Sequence, residues 1–484
     1  MRADAVLLLC VGLAGCATLT RPEGTGGWTP DRRQEELAAR ADAAKVALDA
    51  RPESTAPARL DLREALALAA GGNRRIADAE RLVAAARERV WDARGRLLPE
   101  TTASARYTWY TDRLTNQLPG TLAAALTAQG APASALPTGF TIRDEQFGTV
   151  NGALAVPLDV TGELQHVLTA AQAGYRGERA RLWATTLDQQ ALVVRSYFDV
   201  LEAERLREVT DQTIAFDRQQ LADAQTRFDA GRLTKNELLV VQVALKNAEQ
   251  LRVRQDLTVD RARWALNETL GLPVDAPTEP VDVLTAPAAP AIPDALRTAY
   301  AHNPVLVALV EEQQRLNDTA TALVRSRLPR LGAGAGVDYT SSSLIQPQEV
   351  GSGYVGMTWD LGTDGRREAQ IAEARIEADR NRIAVESELR ELEDAVRVAQ
   401  RAVEERLSAL AATQTSVVQA EENLRIRRQQ FGAGRATSED VLEAEALLTE
   451  QRATLAAARY QAYARRAELQ QLMGLPLDDV APGE

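Results

Sequence analysis

Two alternations of apolar and polar positions run through this chain, and each of them occurs twice. In the first, apolar residues return at helical spacing, as in Leu164, Val167, Leu168, Ala171 and Tyr175, which draws a stripe along one helix face. No proline falls between Gly162 and Ala230. The pattern therefore predicts a helix over 162–230, spanning roughly 100 Å at about 1.5 Å per residue. A second such helix is predicted over 365–431. Helices of this length without a cap midway point to coiled-coil-like packing.

The second alternation has a period of two. Val150, Leu154, Val156, Leu158 and Val160 share one side of an extended chain, with Asn151, Ala153 and Asp159 on the other. Leu331, Ala333, Ala335, Val337 and Tyr339 alternate with Gly332, Gly334, Gly336 and Asp338. Val355, Met357, Trp359 and Leu361 alternate with Tyr354, Gly356, Thr358 and Asp360. Strands are predicted at about 100–117, 146–160, 331–342 and 350–361. Segments of roughly ten residues, apolar on one side and small or polar on the other, fit the wall of a transmembrane barrel. A soluble sheet with one wet face shows the same alternation, so the period alone leaves both open. Four strands do not close a barrel, and an open edge in lipid leaves backbone groups without partners. A barrel wall would have to be shared between chains.

Both alternations belong to a tandem duplication. Arg227-Phe-Asp-Ala-Gly-Arg-Leu-Thr234 recurs as Gln430-Phe-Gly-Ala-Gly-Arg-Ala-Thr437, and the helical patterns that follow end in Gly271-Leu-Pro273 and Gly474-Leu-Pro476. Leu66, Asn73 and Leu98-Pro99 find counterparts in Leu296, Asn303 and Leu328-Pro329. The first repeat occupies 61–273 and the second 293–476, each ordered helix, two strands, very long helix, tight turn, return helix. The return helices are predicted at 234–270 and 437–473. Residues 274–292, rich in Pro and Ala, read as an extended strap, and 477–484 as a tail. Asp61 with Glu64 is a capping-box start for the first helix. The stretch Asn116 to Gln146 has no counterpart of that length in the second repeat, and it carries no clear period.

At the turns, Gly231 and Gly434 stand where a left-handed residue ends a helix. Thr234 with Glu237, and Thr437 with Asp440, form capping-box pairs that start the return helices. This accounts for the turn residues structurally, with no function required.

Composition narrows the classes. Hydrophobic residues make up 45% and charged residues 26% of the chain, yet mean hydropathy is -0.25, which favours narrow helical seams over one thick core. A net charge of -12 argues against nucleic acid, which calls for a concentrated basic face. Beyond the first 15 residues no apolar run reaches the roughly 20 residues of a spanning helix. Those first residues, Arg2 followed by apolar Ala5 to Ala14, describe a secretory signal over 1–15. Leu13-Ala14-Gly15-Cys16 resembles a bacterial lipobox, in which Cys16 would carry acyl chains and open the mature chain, with 16–60 as a lipidated extension. An ordinary signal cleaved nearby, leaving Cys16 a thiol, is the alternative.

The element order given twice, the Phe-x-Ala-Gly-Arg-x-Thr turn, Glu439-Asp-Val-Leu-Glu-Ala444 and the phrase Leu62-Arg-Glu-Ala-Leu66 through Asn73 together resemble the TolC-like outer-membrane efflux proteins. That resemblance implies mixed α and β architecture: long antiparallel helices forming a periplasmic α-barrel tube, and four strands per chain in a trimeric twelve-stranded transmembrane β-barrel. It implies a homotrimer anchored in outer-membrane lipid, working with a periplasmic adaptor protein and an inner-membrane transporter. The 116–146 stretch becomes an extracellular loop. Gly231, Arg232, Thr234, Gly434, Arg435 and Thr437 become adaptor-contacting tip turns. Asp440 and Glu443 match positions whose carboxylates ring the periplasmic aperture, although Asp440 also serves as a cap and copy one has Val240 where copy two has Glu443.

Other signals lead nowhere. Gly351-Ser-Gly353-Tyr-Val-Gly356 spells a dinucleotide motif but lies in a strand pattern with no helix at its third Gly. His166 and His302 are the chain's 2 histidines; neither belongs to a metal-spaced cluster, and no nucleophile has a plausible His partner. We therefore expect no enzyme, no cofactor and no metal. The alternative function is a lipid-anchored periplasmic coiled-coil adaptor or spacer whose strands form a small soluble sheet.

Overall fold

The structure, a computed structural model, describes residues 59–117, 119–130, 132, 134, 139–282, 289–362 and 365–478. The chain divides into Met1–Ala56 and Pro57–Glu484, and the described residues all lie in the second unit. The expected signal, Cys16 and the extension as far as residue 58 lie outside them.

The first repeat opens with β1 (Arg59–Leu60), α1 (Leu62–Gly72) and α2 (Arg74–Gly95). A single helix was expected here; Asn73 divides it. Its side-chain oxygen accepts from Arg75 N at 2.8 Å and so starts a new helix, while its amide donates to Gln189 at 2.8 Å. The second repeat does the same between α6 (Ile292–His302) and α7 (Pro304–Arg325), where Asn303 caps Leu306 N at 3.0 Å. An Asn side chain competes with the helical ladder for local backbone groups, which is why it breaks a pattern that apolar spacing alone would continue.

Strands β2 (Glu100–Trp109), β5 (Gln146–Leu158), β7 (Arg330–Thr340) and β8 (Glu349–Thr358) form one antiparallel sheet in the order β2-β5-β7-β8. The 116–146 stretch is more regular than its sequence implies. It holds β3 (Leu114–Gln117) and β4 (Gly139–Arg143), paired as a separate hairpin, with α3 (Gly120–Ala128) between them. The strand expected over 100–117 is accordingly two, separated by a bend near Tyr110.

Register decides what alternation could not. Leu154 lies opposite Thr101 and Ala335, Val156 opposite Ala333, and Ala333 opposite Val355. Directly opposed residues share a face, so Tyr107, Val150, Leu154, Val337, Val355 and Met357 all stand on one side. All six are exposed, and among the described residues no helix packs over them. The other side carries Thr102, Ser104, Asn151 and Asp338, the last two joined by a side-chain hydrogen bond. There a Cβ on Gly334 would meet the Tyr354 ring at 2.6 Å; the absent side chain gives the ring its place.

Two long hairpins complete the architecture: α4 (Glu163–Asp229) with α5 (Lys235–Leu270), and α8 (Arg366–Gly432) with α9 (Ser438–Leu472). Each long helix has 67 residues, or about 100 Å. Packing runs α5 to α4 to α9 to α8, and nearer the sheet α2 to α4 to α7 to α8. At the waist Phe198 stacks on Tyr463 with centroids 4.8 Å apart. The Tyr197 hydroxyl reaches Val281 O at 2.7 Å and Leu60 O at 3.0 Å, fastening the parallel pair β1 and β6 (Glu279–Pro280) to α4. Among the described residues no helix is long and apolar enough to cross a membrane.

Candidate functional site

The ends of the two hairpins are built alike. Gly231 (φ +65°) and Gly434 (φ +69°) sit in the left-handed region. Arg232 N reaches Arg227 O and Arg435 N reaches Gln430 O, both at 2.8 Å, closing the two helix ends with the same six-to-one bond. Three residues past each glycine the return helix is capped. Thr234 N donates to Glu237 at 2.9 Å, and Thr437 N donates to Asp440 at 2.8 Å. Each threonine hydroxyl also donates to the same carboxylate at 2.7 Å. These backbone and hydroxyl donors hold the Glu237 and Asp440 carboxyls below the usual carboxylate range. Both carboxylates therefore stay ionised at neutral pH, one at the first turn of each return helix, where negative charge is favoured.

Asp440 lies 3.8 Å from Arg427, an exposed pair of small energetic weight. Glu443 is exposed one helical turn further along α9, on the side Asp440 occupies. The turn residues Gly231, Arg232, Gly434 and Arg435 are exposed. The structure thus brings the sequence-predicted tip residues to one end of the hairpins, with Asp440 serving as a cap.

Contacts between the two hairpins form a second layer that sequence reasoning missed. Arg227 donates to Phe431 O at 3.0 Å, and its guanidinium sits 4.2 Å from the Phe431 ring centroid, tying the last turn of α4 to that of α8. Leu442 of α9 packs on Ala224, Leu238 and Val241. Higher up, the Thr213 and Thr449 hydroxyls meet at 2.8 Å, and Arg452 bonds Gln212 at 2.9 Å and Glu421 at 2.8 Å. Between these layers lie two buried acids, Asp217 of α4 and Glu445 of α9. One signal could have found them. Aligned on the turn glycines, Arg227 faces Gln430, Asp217 faces Ala420 and Glu445 faces Gln242, so the repeats diverge where their hairpins meet.

His166 Nδ1 lies 2.9 Å from Asp318, near the sheet end of α4. Among the described residues no group of three or more His, Cys, Asp or Glu side chains could hold a metal ion.

A family model described as outer membrane efflux protein matches residues 65–272 and 295–475. Among solved structures, the outer membrane protein VceC of Vibrio cholerae superposes with a TM-score of 0.70 at 15% identity, covering 86% of this chain and 96% of that one. The CmeC outer membrane channel of Campylobacter jejuni gives 0.68 at 15% identity over 85% of each chain. The open state of the MtrE outer membrane channel of Neisseria gonorrhoeae gives 0.64 at 18% identity, over 86% and 89%. At these identities the likeness is one of fold: long helical hairpins continuing a share of a barrel wall. No curated protein sequence matches the chain.

Proposed function

The chain belongs to the outer membrane efflux protein family, and from that premise we propose that it is one subunit of a trimeric outer-membrane duct. In this reading the duct passively conducts substrate from an inner-membrane pump and a periplasmic adaptor to the exterior, in an efflux or type I secretion system. The observation that carries the reading is that both layers of the chain stop at unpartnered edges. The sheet ends at β2 and β8, and the helical layer ends at α5 and α8 towards the tip and at α2 and α8 nearer the sheet. Exposed apolar residues run along both helical edges, Val243, Val253 and Leu257 on α5 and Ile376, Ile383 and Val398 on α8. Neighbouring copies complete both rings at once, pairing β2 with β8 and setting α8 against α5 towards the tip and against α2 nearer the sheet. In lipid that closure gives every backbone group a partner. A soluble periplasmic spacer would instead leave the sheet's apolar face against water. The chemistry of a duct asks for no catalytic constellation and no cofactor.

In the trimer the tip turns form the surface offered to the adaptor, and Asp440 and Glu443 from each copy face the periplasmic aperture. Clustered carboxylates in a narrow pore repel one another and attract cations. Asp440→Ala with Glu443→Ala is expected to raise single-channel conductance in planar bilayers and to weaken block by divalent or polyamine cations. Asp440→Asn keeps an oxygen for the cap, so it separates lost charge from a lost cap worth about 1 kcal/mol. Unchanged conductance and block in the double variant would remove the aperture assignment.

Attachment through acylated Cys16 is part of the same reading. Cys16→Ser is expected to lose incorporation of labelled palmitate, while the barrel still assembles. Incorporation that persists in that variant would place the lipid elsewhere.

A further inference from the structure

Asp217 of α4 and Glu445 of α9 are both buried where hairpin one is seated on hairpin two, Glu445 some eight residues above the Thr437 cap, or about 12 Å along the helix. Asp217 is 3% and Glu445 5% exposed. Among the described residues neither makes a salt bridge within 4 Å, and Glu445 Oε2 has no hydrogen-bond partner. The cations nearby are otherwise engaged. On α8, the Arg428 guanidinium lies over the Phe216 ring at 4.6 Å. On α9, Arg452 is held by Glu421 and Gln212. From α5, Glu249 pairs with Lys246 of the same helix and with Arg218 of α4, and Arg252 pairs with Asp211 of α4. That leaves two carboxyls within reach of each other's field in a desolvated seam, one of them with an orphaned oxygen. Two adjacent buried carboxylates are not both stable as anions unless compensated. A proton on the pair satisfies the geometry.

We propose that Asp217 and Glu445 are a proton-held latch between the hairpins: while the pair carries at most one negative charge, α9 stays seated on α4, and the second ionisation drives the seam apart and opens the tip. The inference rests on the duct reading and adds how that tip is regulated. Burial pushes Asp217 up to about 6. Burial, with the Asp217 charge adding to it against Arg452, Arg428 and a hydrogen bond from Thr449, pushes Glu445 up to about 7. Acids raised above their unfolded values stabilise the seated seam at low pH, and that contribution is lost as pH rises through the pair's titration. The latch therefore closes in acid and releases towards neutral and alkaline pH. The repeats' divergence agrees with a device built for this seam, since neither acid has an acidic counterpart in the other copy.

The test is single-channel recording of the full-length detergent-extracted protein in planar bilayers from about pH 5 to about pH 8. Open-state conductance of the unaltered chain should rise several-fold across that range. Asp217→Asn with Glu445→Gln, which mimics the protonated pair, should stay at the low-pH level throughout. A second arm uses Thr213→Cys with Thr449→Cys, whose parent hydroxyls lie 2.8 Å apart. The bridged protein should remain closed at high pH and regain the rise after reduction. A neutralised or bridged protein that follows the unaltered pH profile would overturn the latch while leaving the duct intact. An unaltered protein that conducts at no pH would overturn both. Should the neutralised chain fail to assemble, the bridged chain decides alone.

Discussion

A chain carrying Leu154→Lys and Val337→Lys is expected to yield no detergent-stable trimer and no outer-membrane fraction, whereas Ser352→Lys leaves both intact. Leu154 and Val337 are 42% and 57% exposed in the single chain, on the apolar face near the middle of the two central strands. A Lys facing lipid near the bilayer midplane costs about 2–4 kcal/mol. Two per chain in three chains would sum to about 12–24 kcal/mol, against a stability typically of about 5–15 kcal/mol for a folded domain. Ser352 lies at the same depth, opposite Gly336, but on the face with Asn151 and Asp338, where a charge meets the lumen. Were the sheet a soluble one, added charge at two already exposed positions would change little. Fractionation and heat-modifiable migration of the unboiled protein distinguish the outcomes, and a double-Lys chain that assembles normally would end the barrel reading.

The sequence displays the parts of this molecule that depend on local rules. Long proline-free stripes give α4 and α8, since spacing alone draws the seam. Glycine followed three residues later by threonine gives the two turns, because left-handed closure and capping boxes are decided within a dozen residues. The observed turn bonds and caps are those the sequence implies. The division of the first helix at Asn73 and Asn303 was missed because the apolar spacing overrides the local signals that carry it, Gly71-Gly72 before Asn73 and Pro304 after Asn303; the caps the two asparagines form, and the contact of Asn303 with Leu472 O at 3.0 Å, complete the break. The hairpin in the 116–146 insert was missed for the opposite reason, its short strands being set by partner pairing and not by any period. The two faces of the sheet were legible strand by strand, but whether they agreed between strands needed the register. Asp217 and Glu445 were least legible. Among 68 acidic residues nothing local marks either, and their burial exists only once α9 lies on α4. Comparing the two repeats position by position is the reading that brings such residues out.

That comparison also yields a pair of variants in which one repeat serves as control for the other. Gly271 and Gly474 both end return helices in the left-handed region, at φ +72° and +70°. A Cβ at Gly271 would stand 3.8 Å from Gly72 O, an ordinary contact. Gly271→Ala should therefore cost only the left-handed penalty of about 1–2 kcal/mol. At Gly474 the same Cβ would lie 2.1 Å from His302 O and 2.5 Å from His302 C. Those are backbone atoms at the joint of α6 and α7, so no rotamer change relieves them. Accommodation would move Asn303 off Leu472 O and strain the 3.1 Å bond from Trp183 Nε1 to Gly474 O. The total for Gly474→Ala is expected at about 3–5 kcal/mol, the range reserved for changes that break a named core feature. Denaturant titration of the two single variants, each against the unaltered protein, should show the second repeat's glycine costing at least twice as much as the first's. Equal losses would mean that the close approach at His302 relaxes freely, and that the end of α9 is not seated against that joint.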